Sequence, residues 1–506
     1  MPAAAVEAAG DPISAMSRST RTGVGMRRRA ILAGLGYSAL APNAWAQSEL
    51  RGRDTAGDIA ILREAFEALH PGLYRYASPE AMNGRFAALE QTWARDQTRA
   101  AAYLSLSRFL ASIQCGHTYA NFYNQRRTVA EELFAGRNRL PFHFAWLDER
   151  MIVLRNHSGE ARLAPGTQVL SINGRSSRRV LRDLVPLMRA DGGNDDKRRA
   201  LLEVRGIDRF ESFDIFYPLA FPNQAANAFA LRVRTPDGLT HRLEVAPIDL
   251  AARRAQMATL ARADNAPAWS LTYPNPRSAV LTMPTWALYN SSWDWRGFLD
   301  SAFAEIDDRA IARLIVDLRG NEGGLDCGHE IIARLIDRDL PLAAYERRVR
   351  FRTTPGHLNP YLDTWDDSFR TLGEGAEPLG NGSYRLPASA ETRAIAPKGP
   401  RFRGELTVLI DAANSSATFQ FADLIRSHSL GRLFGTATGG NKRGINGGAF
   451  FFLRLPASGL EADLPLIGTF PLAAAPNSGI APDVWVVASV EDIALGRDPV
   501  MGAALA

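Results

Sequence analysis

The chain has 506 residues, 46% of them hydrophobic and 22% charged. That length exceeds one ordinary core and suits two or three domains of globular composition. The formal net charge of +5 sits mostly in residues 1–46, where Arg18, Arg21, Arg27, Arg28 and Arg29 face only Glu7 and Asp11; beyond them 54 basic and 52 acidic residues remain. No later Lys/Arg run offers a face for a polyanion, so nucleic acid is excluded as an expected partner.

The basic start reads as an address. Met26-Arg27-Arg28-Arg29-Ala30-Ile31-Leu32 precedes a mildly apolar stretch to about Ala41, and Ala44-Trp45-Ala46 has the small-x-small pattern of a signal-peptidase site. Two adjacent Arg before apolar residues resemble a twin-arginine export signal, which implies a periplasmic or secreted protein. The apolar run is too short to span a bilayer, and no other stretch is long and apolar enough, so no stable membrane span is expected once the signal is removed.

From about 50 to 130 the spacing predicts helices. Ile59, Ile61, Leu62, Phe66 and Leu69 mark one, broken by His70-Pro71-Gly72; Tyr103, Leu104, Leu106, Phe109 and Leu110 mark another over Ala100 to Ile113. The second runs into Gln114-Cys115-Gly116-His117-Thr118, which places His117 just past a helix end. From about 135 to 250 short β runs take over, such as Met151–Leu154 and Phe229–Val233. Between them Leu163 to Gly174 combines a Pro-Gly turn, a β-rich run and an Asn-Gly hairpin signal, followed by a helix over Val180 to Met188. This resembles the central stretch of a PDZ domain, a module that binds peptide ends at a sheet edge. Ala190 to Asn227 is longer than an ordinary PDZ domain allows and reads as an insertion.

From about 275 the pattern is α/β. Strands at Ala279–Met283, Leu314–Leu318 and Leu406–Ile410 alternate with helices at Trp293–Ile306, His329–Ile336 and Ala417–Arg426. Residues 340–400 interrupt this with weak periodicity and read as an insertion over one face.

Four motifs in this part carry chemistry. The strand ending at Ile410 enters Asp411-Ala412-Ala413-Asn414-Ser415-Ser416-Ala417 and then a helix. A serine there is placed for nucleophilic attack beside the unpaired N–H groups of the first helical turn, or it simply caps the helix. Leu314 to Leu318 runs into Arg319-Gly320-Asn321-Glu322-Gly323-Gly324, a Gly-rich loop whose backbone can approach a substrate. It lacks the pattern of a phosphate cradle. Leu433 to Asn441 and Gly479 to Asp483 complete the set. Glu322 and Asp326 near the loop are candidates to contact substrate, with solvated charges the more ordinary reading. The eight His are scattered, and His329-Glu330 lacks a second His at zincin spacing, so neither a metal nor another cofactor is expected.

In this order the four motifs resemble the catalytic domain of the S41 peptidases, the tail-specific or C-terminal-processing proteases and their tricorn-like relatives. The resemblance implies an α/β fold, α+β overall. It comprises a helical N-terminal part (47–130), a PDZ-like part with an insertion (131–255) and a ClpP/crotonase-like catalytic core (256–506). It further implies a serine peptidase with a peptide or protein substrate, Ser416 as nucleophile, and an oxyanion hole from Ala417 with Gly323 or Gly324. Processing proteases use a Lys about 25 residues after the serine; here that position is Asn441, and Lys442 is one residue late. The tricorn-like branch uses a His at the end of the helical part, which Gly116-His117-Thr118 resembles. His117 is therefore the expected base and Lys442 the alternative; the carboxylate expected shortly before Gly479 is not present in Ala475-Pro476-Asn477-Ser478. Cys115 and Cys327 are either buried thiols or, if both loops line one site, a disulfide clamping base to oxyanion hole. The alternative function is a serine esterase or a non-catalytic binding relative of the same fold. Oligomeric state has no sequence signature here.

Overall fold

Four helices open the chain in the structure, a computed structural model that describes residues 48–208, 210–222, 227–257, 269–289, 291–342, 345–388 and 394–506. The expected export signal, residues 1–46, lies outside these residues. Helices α1 (Gly52–Leu69), α2 (Pro79–Trp93), α3 (Arg99–Ser112) and α4 (Arg127–Phe134) form because apolar residues recur on one side: Ile59, Leu62, Phe66 and Leu69 of α1 are all buried. The Thr98 side chain accepts from Ala101 N–H and starts α3, while α1 stops at His70, ahead of Pro71.

Next comes a five-stranded antiparallel sheet, β1 (Phe142–Leu147), β2 (Arg150–Asn156), β3 (Gln168–Ile172), β4 (Phe229–Arg234) and β5 (Thr240–Val245), hydrogen-bonded in that order. Helix α5 (Ser177–Leu184) packs on it. The stretch expected as an insertion folds as α6 (Asp195–Leu201) and α7 (Ser212–Ala220). Between these helices Val204 pairs with Phe144 through both backbone bonds, so this chain's own segment takes the outer edge of β1.

The α/β part centres on β6 (Ser270–Asn275), β7 (Ser278–Thr282), β8 (Arg313–Asp317), β10 (Glu405–Ile410), β11 (Arg432–Gly435) and β14 (Val484–Trp485), ordered β14-β11-β10-β8-β7-β6. All neighbours are parallel except β6 with β7. The central strands β8 and β10 read as near-continuous apolar runs because both faces are covered. Helices α8 (Trp295–Asp308), α9 (Cys327–Ile332) and α10 (Ser416–Ser427) bury their apolar sides against this sheet.

The interruption at 340–400 is not a loose cover. Its strand β9 (Tyr345–Val349) and short strands within 362–385 join β12 (Asn446–Arg454) and β13 (Glu461–Pro471) in a second six-stranded sheet, antiparallel throughout. That sheet shares one apolar core with the N-terminal helices and the five-stranded sheet. The parallel sheet has its own core. Among the described residues no helix is long and apolar enough to cross a membrane.

Candidate active site

Strand β10 ends at Ile410, and a tight turn delivers the chain into α10. Asn414 builds the turn: its Oδ1 accepts from Asp411 N–H at 2.8 Å, and its Nδ2 donates to the carbonyls of Leu318 and Asn321 at 2.6 and 3.0 Å. This fixes the serine turn against the Gly-rich loop. Ser416 then takes φ +50°, a left-handed value that a non-glycine residue holds only when its surroundings impose it. Neither serine caps α10. Ser415 occupies the cap position without a side-chain cap bond; its Oγ instead donates to the Glu322 carbonyl at 3.2 Å. Ser416 stands half-buried in the first turn.

The Gly-rich loop lies directly against this turn. A Cβ on Gly323 would fall 2.9 Å from both Ala417 N and Ser416 Cβ, and one on Gly324 2.1 Å from the Trp286 carbonyl. With φ of +103° and +138°, both positions require glycine. Gly323 N–H is already spent inside the loop, on Asn321 Oδ1 at 2.9 Å. The N–H groups of Ala417 and Gly324 have no acceptor among the described residues. Of the two glycines, Gly324 therefore has the free donor, while Gly323 is the one that lies against Ser416 and Ala417.

The His117 loop follows α3 and is held from several sides. Asp191 Oδ1 accepts from Gly116 N–H at 2.8 Å, Arg189 Nη1 donates to the Gly116 carbonyl at 2.8 Å, and Asn446 Nδ2 donates to Cys115 Sγ at 3.2 Å. His70 Nδ1 accepts from Gly72 N–H at 3.1 Å, which leaves the proton on Nε2, 2.9 Å from Thr118 Oγ1. Burial, then Arg75, lowers the His70 pKa to about 3, so this tether stays neutral. For His117 burial is again the main cause, with Arg189 next and Glu322 opposing, and its pKa falls to about 4. The imidazole is thus in its proton-accepting form at neutral pH. Its Nδ1 is buried without a partner, as is Asp191 Oδ2, and no hydrogen bond joins His117 to Ser416.

A charged node, rather than a disulfide, ties the loops together. Glu322 Oε2 accepts from Lys197 Nζ at 2.8 Å and from Arg189 Nη2 at 3.1 Å. Lys197 also donates to the Ala413 carbonyl at 2.8 Å and approaches Ser415 Oγ at 3.4 Å. Arg189 reaches the His117 loop through Gly116, Glu322 precedes Gly323 and Gly324, and Lys197 holds the serine turn. Burial pushes the Glu322 carboxyl up, but Lys197 and Arg189 outweigh it and hold the pKa at about 2. The expectation that Glu322 is a solvated charge is corrected accordingly. Sequence reasoning missed Arg189, Asp191 and Lys197; they lie in a segment without periodicity, and only Gly192-Gly193 hinted at a tight turn there.

Of the two readings of the cysteines, buried thiols are what the structure has: Cys115 and Cys327 are both free and buried. The physical reason is that they belong to different cores, Cys115 with the N-terminal helices and Cys327 with the parallel sheet. Among the described residues no hydrogen bond or ion pair joins the Lys442 side chain to the serine turn. Its ammonium acts on Asp423, two helical turns along α10 from Ser416, and is not among the charges acting on His117. The in-register Asn441 is buried, donating to Asn477 Oδ1 at 2.7 Å and to the Asp191 carbonyl at 3.3 Å.

Residues 277–464 match the model of peptidase family S41, a span that contains both the Gly-rich loop and the Ser416 turn. The match places the similarity to this family in the α/β part and the strands that follow it. The match supports a serine-type peptidase, a class that acts on peptides or proteins. Among solved structures, mature CPAF complexed with lactacystin is similar at 14% identity, with 88% of this chain and 95% of that chain covered and a TM-score of 0.60. Mature CPAF alone gives 14% identity, 88% and 94% coverage and a TM-score of 0.55. These likenesses show a shared fold. The photosystem II D1 C-terminal processing protease aligns at 15% identity over 88% of this chain and 98% of that one, with a TM-score of 0.40. No curated protein matches the sequence.

Proposed function

We propose that the chain is an exported S41 peptidase that hydrolyses peptide bonds through an acyl-enzyme on Ser416, with His117 as general base. The observation that carries this reading is the left-handed Ser416 at the start of α10, with the free N–H group of Ala417 next to it and that of Gly324 in the adjoining loop. Ser416 Oγ adds to the scissile carbonyl while His117 takes its proton. The two N–H groups stabilise the resulting oxyanion. Collapse breaks the C–N bond, and His117 returns the proton to the leaving amine. Water, activated by the same imidazole, then releases the acyl group and restores Ser416. The missing hydrogen bond between Ser416 and His117 is compatible with this, since catalytic bonds often tighten only when substrate arrives.

A fluorophosphonate probe tests the nucleophile: labelling is expected on Ser416 and lost in Ser416→Ala, and unchanged labelling in that variant defeats the assignment. The same missing bond, with the unpartnered His117 Nδ1, favours the rival reading of an esterase or a non-catalytic binding relative. A wild type that ignores the probe yet binds peptides would select the non-catalytic form, and one that cleaves esters but no peptide the esterase. Export rests on the twin-arginine-like start, and fractionation of cells expressing the full chain, with Arg27 and Arg28 changed to Lys, tests it.

A further inference from the structure

Three aromatic rings in contact through Trp365, one of them against His117, belong to none of the three apolar cores: Trp365, Phe450 and Phe452. Phe450 lies against the imidazole, ring centroids 5.9 Å apart at 49°. Trp365 covers Phe450 and Phe452 at 5.9 and 5.7 Å, and Phe369 meets Trp365 edge-on at 5.3 Å. Phe450 and Trp365 are only half-buried, so the group offers an apolar wall rather than a filled interior.

The backbone is arranged to present that wall. The register between β12 and β13 shifts between Gly447 and Phe450, an irregularity of the kind that re-aims side chains next to active sites. Gly448 within it is exposed with φ +76°. A Cβ on Gly447 would lie 3.8 Å from the His117 ring, so the surface between base and wall carries no side chain. Thr364 Oγ1 donates to the Phe450 carbonyl at 3.1 Å and fixes the loop bearing Trp365 onto the shifted strand. Two stretches without a role in the acyl-transfer steps, the interruption at 340–400 and the irregularity in β12, thus meet at one place, beside the base.

Position decides what such a wall would contact. The base returns its proton to the leaving amine, so a surface flanking the base borders the residue on the leaving side of the scissile bond. We propose that Phe450 and Trp365 form a specificity subsite for a large apolar side chain, aromatic or branched aliphatic, on the first residue of the leaving peptide. This rests on the acyl-enzyme reading with His117 as base. Covering such a side chain favours it over glycine by roughly ten- to a hundredfold.

The test is a cleavage profile. The mature chain and its Phe450→Ala, Trp365→Ala and Trp365→Phe variants digest a mixed peptide library, and mass spectrometry reads the residue following each cut. Fluorophosphonate titration of Ser416 normalises each sample to folded, competent enzyme. The expected wild-type profile favours Phe and Leu over Gly and Asp by about tenfold or more. That preference is expected to collapse towards unity in Phe450→Ala, to fall in Trp365→Ala and to recover in Trp365→Phe. A flat wild-type profile, variants that keep the preference, or a labelled enzyme that leaves the library uncut overturns the proposal. Absence of labelling removes the acyl-enzyme reading itself, and this inference with it.

Discussion

The two halves of the site are built in opposite ways. The nucleophile half is local: β10, the Asn414 turn and α10 follow one another, and the Gly-rich loop joins them from the adjacent strand β8. The base half is assembled from afar. Gly116 is held by Asp191 and Arg189, over seventy positions away, and Arg189 and Lys197 meet Glu322 across separations of 133 and 125 residues. A local half keeps its geometry as long as its strand and helix pack. A half assembled from a distance depends on the few charged contacts that hold it, and there the site is expected to be adjustable.

The largest expected effect tests the local half. Ser416→Ala should lower kcat/KM for peptide cleavage by about 10⁴-fold or more, whereas Ser415→Ala, which removes only the bonds to Glu322 and Lys197, should cost less than about tenfold. The reverse order would move the nucleophile to Ser415. Next, His117→Gln should cost roughly 10²- to 10⁴-fold in kcat, and Lys442→Ala no more than about twofold. A Lys442 variant as damaged as the His117 variant would reinstate the lysine.

The node comes third. Glu322→Gln leaves Lys197, whose side chain is 1% exposed, without its carboxylate, and loosens both loops at once. A loss of about ten- to a hundredfold in kcat is expected, with a lower Tm and labelling still on Ser416. Full kcat in a folded Glu322→Gln protein would break the contrast between the halves.

A smaller and more specific effect lies in the pH profile. His117 accepts a proton only while neutral, and its pKa in the folded protein is about 4. Activity should therefore hold as pH falls towards 5 and decline through about 4. Because Glu322 raises this pKa while Arg189 and Lys197 lower it, Glu322→Gln should move the acid limb further down. An upward move would contradict the charge arrangement around the base. The smallest effect concerns the thiols: unfolded without reductant, the protein should titrate two free cysteines, and Cys327→Ala should leave kcat unchanged.

Much of the parallel sheet was legible because its strands are uninterrupted apolar runs with helices between them, and the serine turn because its residues are contiguous. Helix α3, expected over Ala100 to Ile113, spans Arg99–Ser112 for the same local reason. The second sheet was not legible. Three of its strands are two residues long, and among the described residues the stretch pairs with residues 446–471 only through 345–348 and 362–363, so no periodicity marks them in 340–400.

Sequence alone determined the alternating core, the glycines beside Ser416 and the candidacy of His117, all of which follow from short-range pattern and chemical type. Tertiary structure decided what those residues do together. It excluded a Cys115–Cys327 bond by burying each thiol in a separate core, and it left the Lys442 charge acting on Asp423 and not on His117. It gave the task of joining the loops to Arg189, Lys197 and Glu322, because a buried charge must find its partner in space, however far apart the two stand in the chain.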